Sequence, residues 1–240
     1  DYFRRNFIPS MLGWFSMRDN TSIEDIEWML ARSAAFDAGY ALVTSVALVE
    51  KNGFGDEILE KIKQWEKARL GGAFTAGQKK KMENINDEFS LDKVSENSWN
   101  LTPYAVQRFE HQLKIRQPGE PVWSVFDLDN NFTAQPIQFI LTTKNTTVSG
   151  ISIEIDDFKK IDLDISIDSG ENLKYDGGHE AVLYDKSWNR IKSIPIDPEK
   201  LIVSSGAHRI KVDCTFSAEE EASLKLEIKT SGKPEKVEIK

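Results

Sequence analysis

Between Ile151 and Ile228 the chain repeatedly places an apolar residue at every second position, and that period constrains its fold more than any other feature. Ile151, Ile153 and Ile155 alternate with polar residues, as do Ile161, Leu163, Ile165 and Ile167, then Ile210, Val212, Cys214 and Phe216, then Leu224, Leu226 and Ile228. A period of two sends alternate side chains to opposite faces of a strand, so each segment offers one apolar face to a core and one polar face to water. Turn signals separate the segments, among them Asp168-Ser169-Gly170, Asp176-Gly177-Gly178 and Ser204-Ser205-Gly206. Short alternating strands with turns about every 8–12 residues predict an antiparallel β-sandwich, placed at residues 118–240.

Before Pro118 the texture is different. Ile8 to Met17 is a nearly continuous apolar run, and Tyr40 to Val49 is a second. Between them Thr21 or Ser22 opens a helix, with Glu24 and Asp25 placed three residues on for a capping box and Ile23, Ile26, Leu30 and Ala34 at helical spacing. Strand, crossover helix and parallel strand form the unit of α/β sheets. Two parallel strands leave edges and faces bare, so the pattern predicts further strands supplied upstream or by another chain. Ile58, Leu59, Ile62 and Trp65 mark a second helix that Gly71-Gly72 stops, and Thr75 begins a short one carrying Lys79-Lys80-Lys81. Asn84 to Arg116 reads as an irregular bridge with strand-like stretches.

The net charge of −8 provides no basic surplus to neutralise a phosphate backbone, which argues against a nucleic-acid partner. A single cysteine, Cys214, excludes an intramolecular disulfide and suits a small core residue. The sequence contains no membrane span, and its opening Asp1-Tyr2-Phe3-Arg4-Arg5 is not that of a signal peptide. The three histidines share no metal-binding spacing, and neither a Gly-x-Ser-x-Gly elbow nor a phosphate-cradling glycine loop is present.

The stretch RRNFIPSMLGWFSMRDNTSIEDIEWMLARSAAFDAGYALVTS, followed by EILEKIKQWEKARLGGAF, resembles the last units of a (β/α)-barrel in large glycoside-hydrolase-like proteins of polysaccharide-degrading bacteria. LKYDGGHEAVLYDKSWN, SSGAHRIKVDCTF and ASLKLEIKTSG are similar to the galactose-binding-like jelly-roll sandwiches appended to such enzymes. The resemblance implies an α/β plus all-β chain: a partial (β/α)-barrel end with linker over residues 1–117, then an antiparallel jelly-roll-like sandwich over 118–240. It also implies a carbohydrate partner, an oligo- or polysaccharide, a larger polypeptide upstream, and a secreted, periplasmic or cell-surface location. The complete protein would hydrolyse a glycosidic bond by acid/base chemistry, with this chain alone inactive. The alternatives are a non-catalytic carbohydrate-binding module or a purely structural accessory domain.

Barrel enzymes build their sites at the carboxyl ends of the strands. That rule points to Arg18 and Asp19 after the first strand and to Ser45 and Glu50 after the second, with Asp19 and Glu50 the acidic candidates for catalysis. Trp14 suits a sugar-stacking wall, since an aromatic face covers the apolar face of a pyranose. In the sandwich, Tyr175 and Trp188, with Tyr184, Trp123, Asp176, Asn189 and Arg190 around them, are candidates for a glycan-binding face. Each also has a plainer reading as core or turn. No cofactor is required, although Asp127 and Asp129 crowd one loop with oxygen ligands suited to a structural Ca²⁺.

Overall fold

The computed structural model describes residues 10–113, 121–217 and 221–239. The chain forms two compact units: Asp1–Tyr104 with Ser231–Lys240, and Ala105–Thr230. The boundary expected at Pro118 and the expected strand start at Ile8 lie outside the described residues.

In the first unit strand β1 (Met11–Ser16) pairs in parallel with β2 (Gly39–Val43), and helix α1 (Ile23–Phe36) crosses between them. Ser22 caps α1 reciprocally: its Oγ accepts from the Asp25 N–H and Asp25 Oδ2 accepts from the Ser22 N–H, each at 3.1 Å. Two donors that the first turn leaves without partners are thereby satisfied. β2 is shorter than its apolar run. Ser45 accepts from the Leu48 N–H at 3.3 Å and starts helix α2 (Val46–Lys51). Helices α3 (Gly55–Leu70) and α4 (Ala76–Met82) follow. Gly55 has to be glycine, because a Cβ there would overlap the Val49 carbonyl oxygen.

The (β/α)-barrel end expected for this region is not found. Among the described residues no third strand joins β1 and β2. The chain instead makes an antiparallel hairpin of β3 (Glu88–Ser95) and β4 (Ser98–Gln112), with the C-terminal strand Glu235–Glu238 on the far side of β4. The stretch expected as an irregular bridge is therefore regular sheet over Glu88–Ser95 and Ser98–Gln112. α1 packs against α3, α4 and β3, around a core that includes Met29, Leu30, Ile58, Trp65, Met82, Leu91 and Trp99. The helical stripes that suggest a barrel thus cover an antiparallel hairpin. Periodicity reports that a face is buried but does not identify the sheet that buries it.

The second unit is a two-sheet sandwich. Its strands are β5 (Ser124–Asn130), β6 (Gln135–Pro136), β7 (Gln138–Lys144), β8 (Val148–Ile155), β9 (Lys159–Leu163), β10 (Asn172–Tyr175), β11 (Glu180–Tyr184), β12 (Arg190–Pro195), β13 (Ile202–Val203), β14 (Gly206–Phe216) and β15 (Ser223–Ser231). One sheet runs β5-β14-β8-β9, the other β12-β11-β10-β7-β15-β4, and β6 pairs with β13. Ile151, Ile153, Ile155, Ile210 and Val212 from the first sheet meet Phe139, Leu141, Leu173, Leu224, Leu226 and Ile228 from the second in one core. These are the alternating residues of the sequence, so each strand's other face is turned outward. Among the described residues no helix is long and apolar enough to cross a membrane.

Candidate functional site

The residues expected at the carboxyl ends of the parallel strands do gather there, held by one residue that composition did not reveal. Asn52, 4% exposed, donates through Nδ2 to the carbonyls of Thr21 at 2.8 Å and Arg18 at 3.3 Å. Its Oδ1 accepts from the Phe54 N–H at 2.8 Å. The loop carrying Arg18 and Asp19 is thus pinned to the end of α2, and Lys51 forms an ion pair with Asp19. Ser45 is a helix cap, Glu50 lies exposed on α2, and Trp14 stands 77% exposed on β1. Asp19 is thus tied to Lys51, while Glu50 faces solvent. The Asn52-Gly53 pair was the sequence's sign of this fastening, since asparagine before glycine favours a side-chain-closed turn.

In the sandwich the aromatic candidates turn inward. Tyr175 is 1% exposed, tilts against Phe139 with ring centroids 5.2 Å apart, and donates its hydroxyl to the Gly178 carbonyl at 2.9 Å. Trp188 is 6% exposed and packs on Tyr184. Its backbone φ of 62° is fixed by a loop in which Asp185 Oδ1 accepts from the N–H groups of Ser187 and Asn189. Neither ring offers a face to a ligand. Asp127 and Asp129 are exposed on β5, where Gln107 holds both backbone groups of Asp129. Among the described residues no three histidine, cysteine or acidic side chains are grouped to hold a metal ion.

A different surface has the form of a site. On the outer face of the β4-β15-β7 strands lies an open cavity of about 520 Å³ lined by Arg108, Glu110, Ile140, Thr142, Lys225 and Glu227 among others. Pairing across strands sets Lys225 opposite Thr142 and Thr142 opposite Asn172, and in the next outward row Glu227 opposite Ile140 and Ile140 opposite Lys174. Arg108 Nε donates to Glu227 Oε2 at 2.9 Å, and Thr142 donates to Asn172 Oδ1 at 2.9 Å. A smaller cavity, about 350 Å³, is lined by His111, Asp213 and Cys214 among others. Burial, with the Asp213 charge beside it, pushes the Cys214 thiol up to about 12, so it stays protonated and a poor nucleophile.

His208 is a third notable group. Its Nδ1 lies 2.6 Å from Asp156 Oδ2 and its Nε2 lies 2.9 Å from the Ser204 carbonyl oxygen. A carbonyl and a carboxylate only accept, so the imidazolium form makes both bonds, while the Ser204 hydroxyl, 3.4 Å from Nε2, is the donor within reach of a neutral ring. Burial opposes that charge, but the bonds to Asp156 and Ser204 outweigh it and raise the pKa above the ordinary 6.5; Lys159 pushes the other way. Asp156 also accepts from the Arg209 N–H at 2.8 Å, and its own carboxyl is lowered because these bonds exceed the effect of burial. A raised histidine pKa stabilises the fold fully below the unfolded value, and that stabilisation is lost as pH rises through the folded value. The Asp156 contribution is present above its unfolded value and is lost in acid. Between about pH 6 and about pH 9 the clamp is expected to lose roughly 1 kcal/mol, a charge-assisted bond discounted for the partial exposure of Asp156. Urea unfolding of the wild type and His208→Gln across that range checks this: the difference between them should shrink as pH rises, and a constant difference would refute the imidazolium.

No family model matches the chain, and no curated relative matches it in sequence. Among solved structures it is weakly similar to an Arthrobacter globiformis T6 isomalto-dextranase complexed with panose, at 9% identity and a TM-score of 0.19, covering 89% of this chain. The chain spans about half that protein's length, 49% of it. A likeness at that level carries no argument about fold or function.

Proposed function

We propose that the Ala105–Thr230 unit is a non-catalytic carbohydrate-binding module whose ligand lies across the outer face of the β4-β15-β7 strands. The observation that carries this reading is the lining of the 520 Å³ cavity, in which a guanidinium paired with a carboxylate, Arg108 with Glu227, stands beside the Thr142 hydroxyl and the Ile140 side chain. A saccharide presents vicinal hydroxyls along its edge and C–H groups on its faces. Planar charged groups take the hydroxyls in pairs, a short apolar patch takes the C–H face, and a regular sheet holds both without reorganisation.

The expected result is saturable binding of the full chain to at least one soluble polysaccharide in affinity electrophoresis. Arg108→Ala combined with Glu227→Gln should weaken it by about tenfold or more, about 1.4 kcal/mol. Arg108 is largely exposed, and the amide oxygen that Glu227→Gln keeps can still accept from the buried Lys229. Silence across plant, microbial and host glycans, or binding indifferent to the double variant, would refute the assignment.

A further inference from the structure

We propose that the open face of the β1-β2 pair is a self-complementary surface through which two copies of this chain associate. Parallel strands are normally covered on both faces, and this pair is covered on one. Phe15, Tyr40 and Leu42 pack against the core of the first unit. The opposite face is set by a bulge. The register steps between Met11 and Trp14, where Gly13 takes a φ of 130°. The extra residue puts both Met11 and Trp14 on the side of Gly39, Ala41 and Val43, whereas plain strand alternation would send one of the two inward.

That face is apolar and uncharged. Met11, Trp14 and Val43 are exposed on it, and Val46, also exposed, follows just beyond β2. Among the described residues every other edge strand of four residues or more carries at least one charged side chain, the usual guard against unwanted pairing, whereas β1 and β2 carry none. Together the exposed side chains offer roughly 500 Å² per copy, so two copies would bury about 1,000 Å², the lower end for a specific interface. The relief of the face selects a second copy over an unlike partner. Trp14 stands beside Ala41 in register, with Gly39 next along β2 on the same side. A tall ring next to a low strip meets the condition of a two-fold contact: Trp14 of one copy covers the Gly39 and Ala41 strip of the other, and the reverse. Such a contact brings no like charges together, and a tryptophan near its centre is the side chain best suited to dominate it.

The test is sedimentation equilibrium of the full chain from about 1 to about 200 µM, a range that spans the Kd of about 10–100 µM expected for an interface of this size. The apparent mass should rise from 27.3 kDa toward twice that value. Trp14→Glu should weaken association about thirtyfold or more, the loss of a central aromatic anchor, while Trp14→Phe should keep it within about tenfold. Ala41→Phe fills the low strip and should weaken association as Trp14→Glu does. Both positions lie on the outer face, so each variant should keep the wild-type urea midpoint, which separates a lost interface from a lost fold. A mass of 27.3 kDa at every concentration would overturn the proposal and leave the face to an unlike partner. Dimerisation that neither Trp14→Glu nor Ala41→Phe weakens would overturn it by putting the contact elsewhere. Growth beyond the dimer that Trp14→Glu abolishes would overturn the two-fold contact in favour of open stacking along strand edges.

Discussion

Replacing Glu27 by alanine is expected to destabilise the first unit by about 3–5 kcal/mol, the cost of removing one partner from a buried charge pair. Glu27 is 5% exposed on α1. Its Oε1 accepts from Trp65 Nε1–H at 3.1 Å and from the Leu91 N–H at 2.9 Å, and Lys61 Nζ lies 3.1 Å away. One carboxylate thereby joins α1 to α3 and β3. Burial pushes its carboxyl up, while Lys61, the Leu91 amide and Trp65 favour the ionised form. Alanine would leave two buried N–H donors without acceptors and take from Lys61 the more buried of its counterions. Asp92, at 2.9 Å, would remain. Glu27→Gln is the informative control, because its amide oxygen still accepts from Trp65 and Leu91 while the charge is lost. Its cost should be about half that of alanine, by the ordinary worth of the retained hydrogen bonds. Urea unfolding followed by tryptophan fluorescence reads both variants, and a Glu27→Ala loss below about 1 kcal/mol would mean that the carboxylate bears little of the packing.

Glu27 also shows how much of this structure is legible in the chain. Ile23, Ile26, Glu27 and Leu30 occupy i, i+3, i+4 and i+7, so a carboxylate on the buried stripe can be read from spacing, but its three partners cannot. The capping box at Ser22 and the alternating sandwich strands follow from local rules and appear as the rules require. The barrel does not, because the decisive fact, that α1 packs against β3, is set by a contact about sixty residues away. The outer-face site was legible only in half. Lys225 and Glu227 sit between Leu224, Leu226 and Ile228, so period two puts them outward. That they stand beside Thr142 and Ile140 depends on strand register, which no single segment encodes. Asn130, 1% exposed and bonded to the carbonyls of Thr133 and Ser204, is likewise invisible before the loops are assembled.

Tyr175→Ala is expected to cost the sandwich about 3–5 kcal/mol, the range for deleting a large buried aromatic side chain. The sequence alone offers Tyr175 as a ligand contact, just before the Asp176-Gly177-Gly178 turn signal. Its position relative to Leu173 contradicts this: two residues apart on β10, both side chains belong to the core face, and both are buried. Pairing places Tyr175 between Phe139 and Ala181 on neighbouring strands. Alanine would open a void there that a well-packed sandwich cannot close, and strand backbones held in register on both sides limit relaxation. Tyr175→Phe keeps the ring and loses only the bond to Gly178, so its cost should be about 1 kcal/mol. Burial, with the Asp197 charge adding to it, pushes the phenol up to about 12, so the hydroxyl remains a donor across ordinary pH and the Tyr175→Phe cost should be flat with pH. Denaturation of both variants, with polysaccharide affinity measured on the folded fraction, separates the two roles. A core residue gives a large loss for alanine, a small one for phenylalanine and unchanged affinity for phenylalanine. A ligand contact would reverse that order, with little loss of stability and a marked loss of binding.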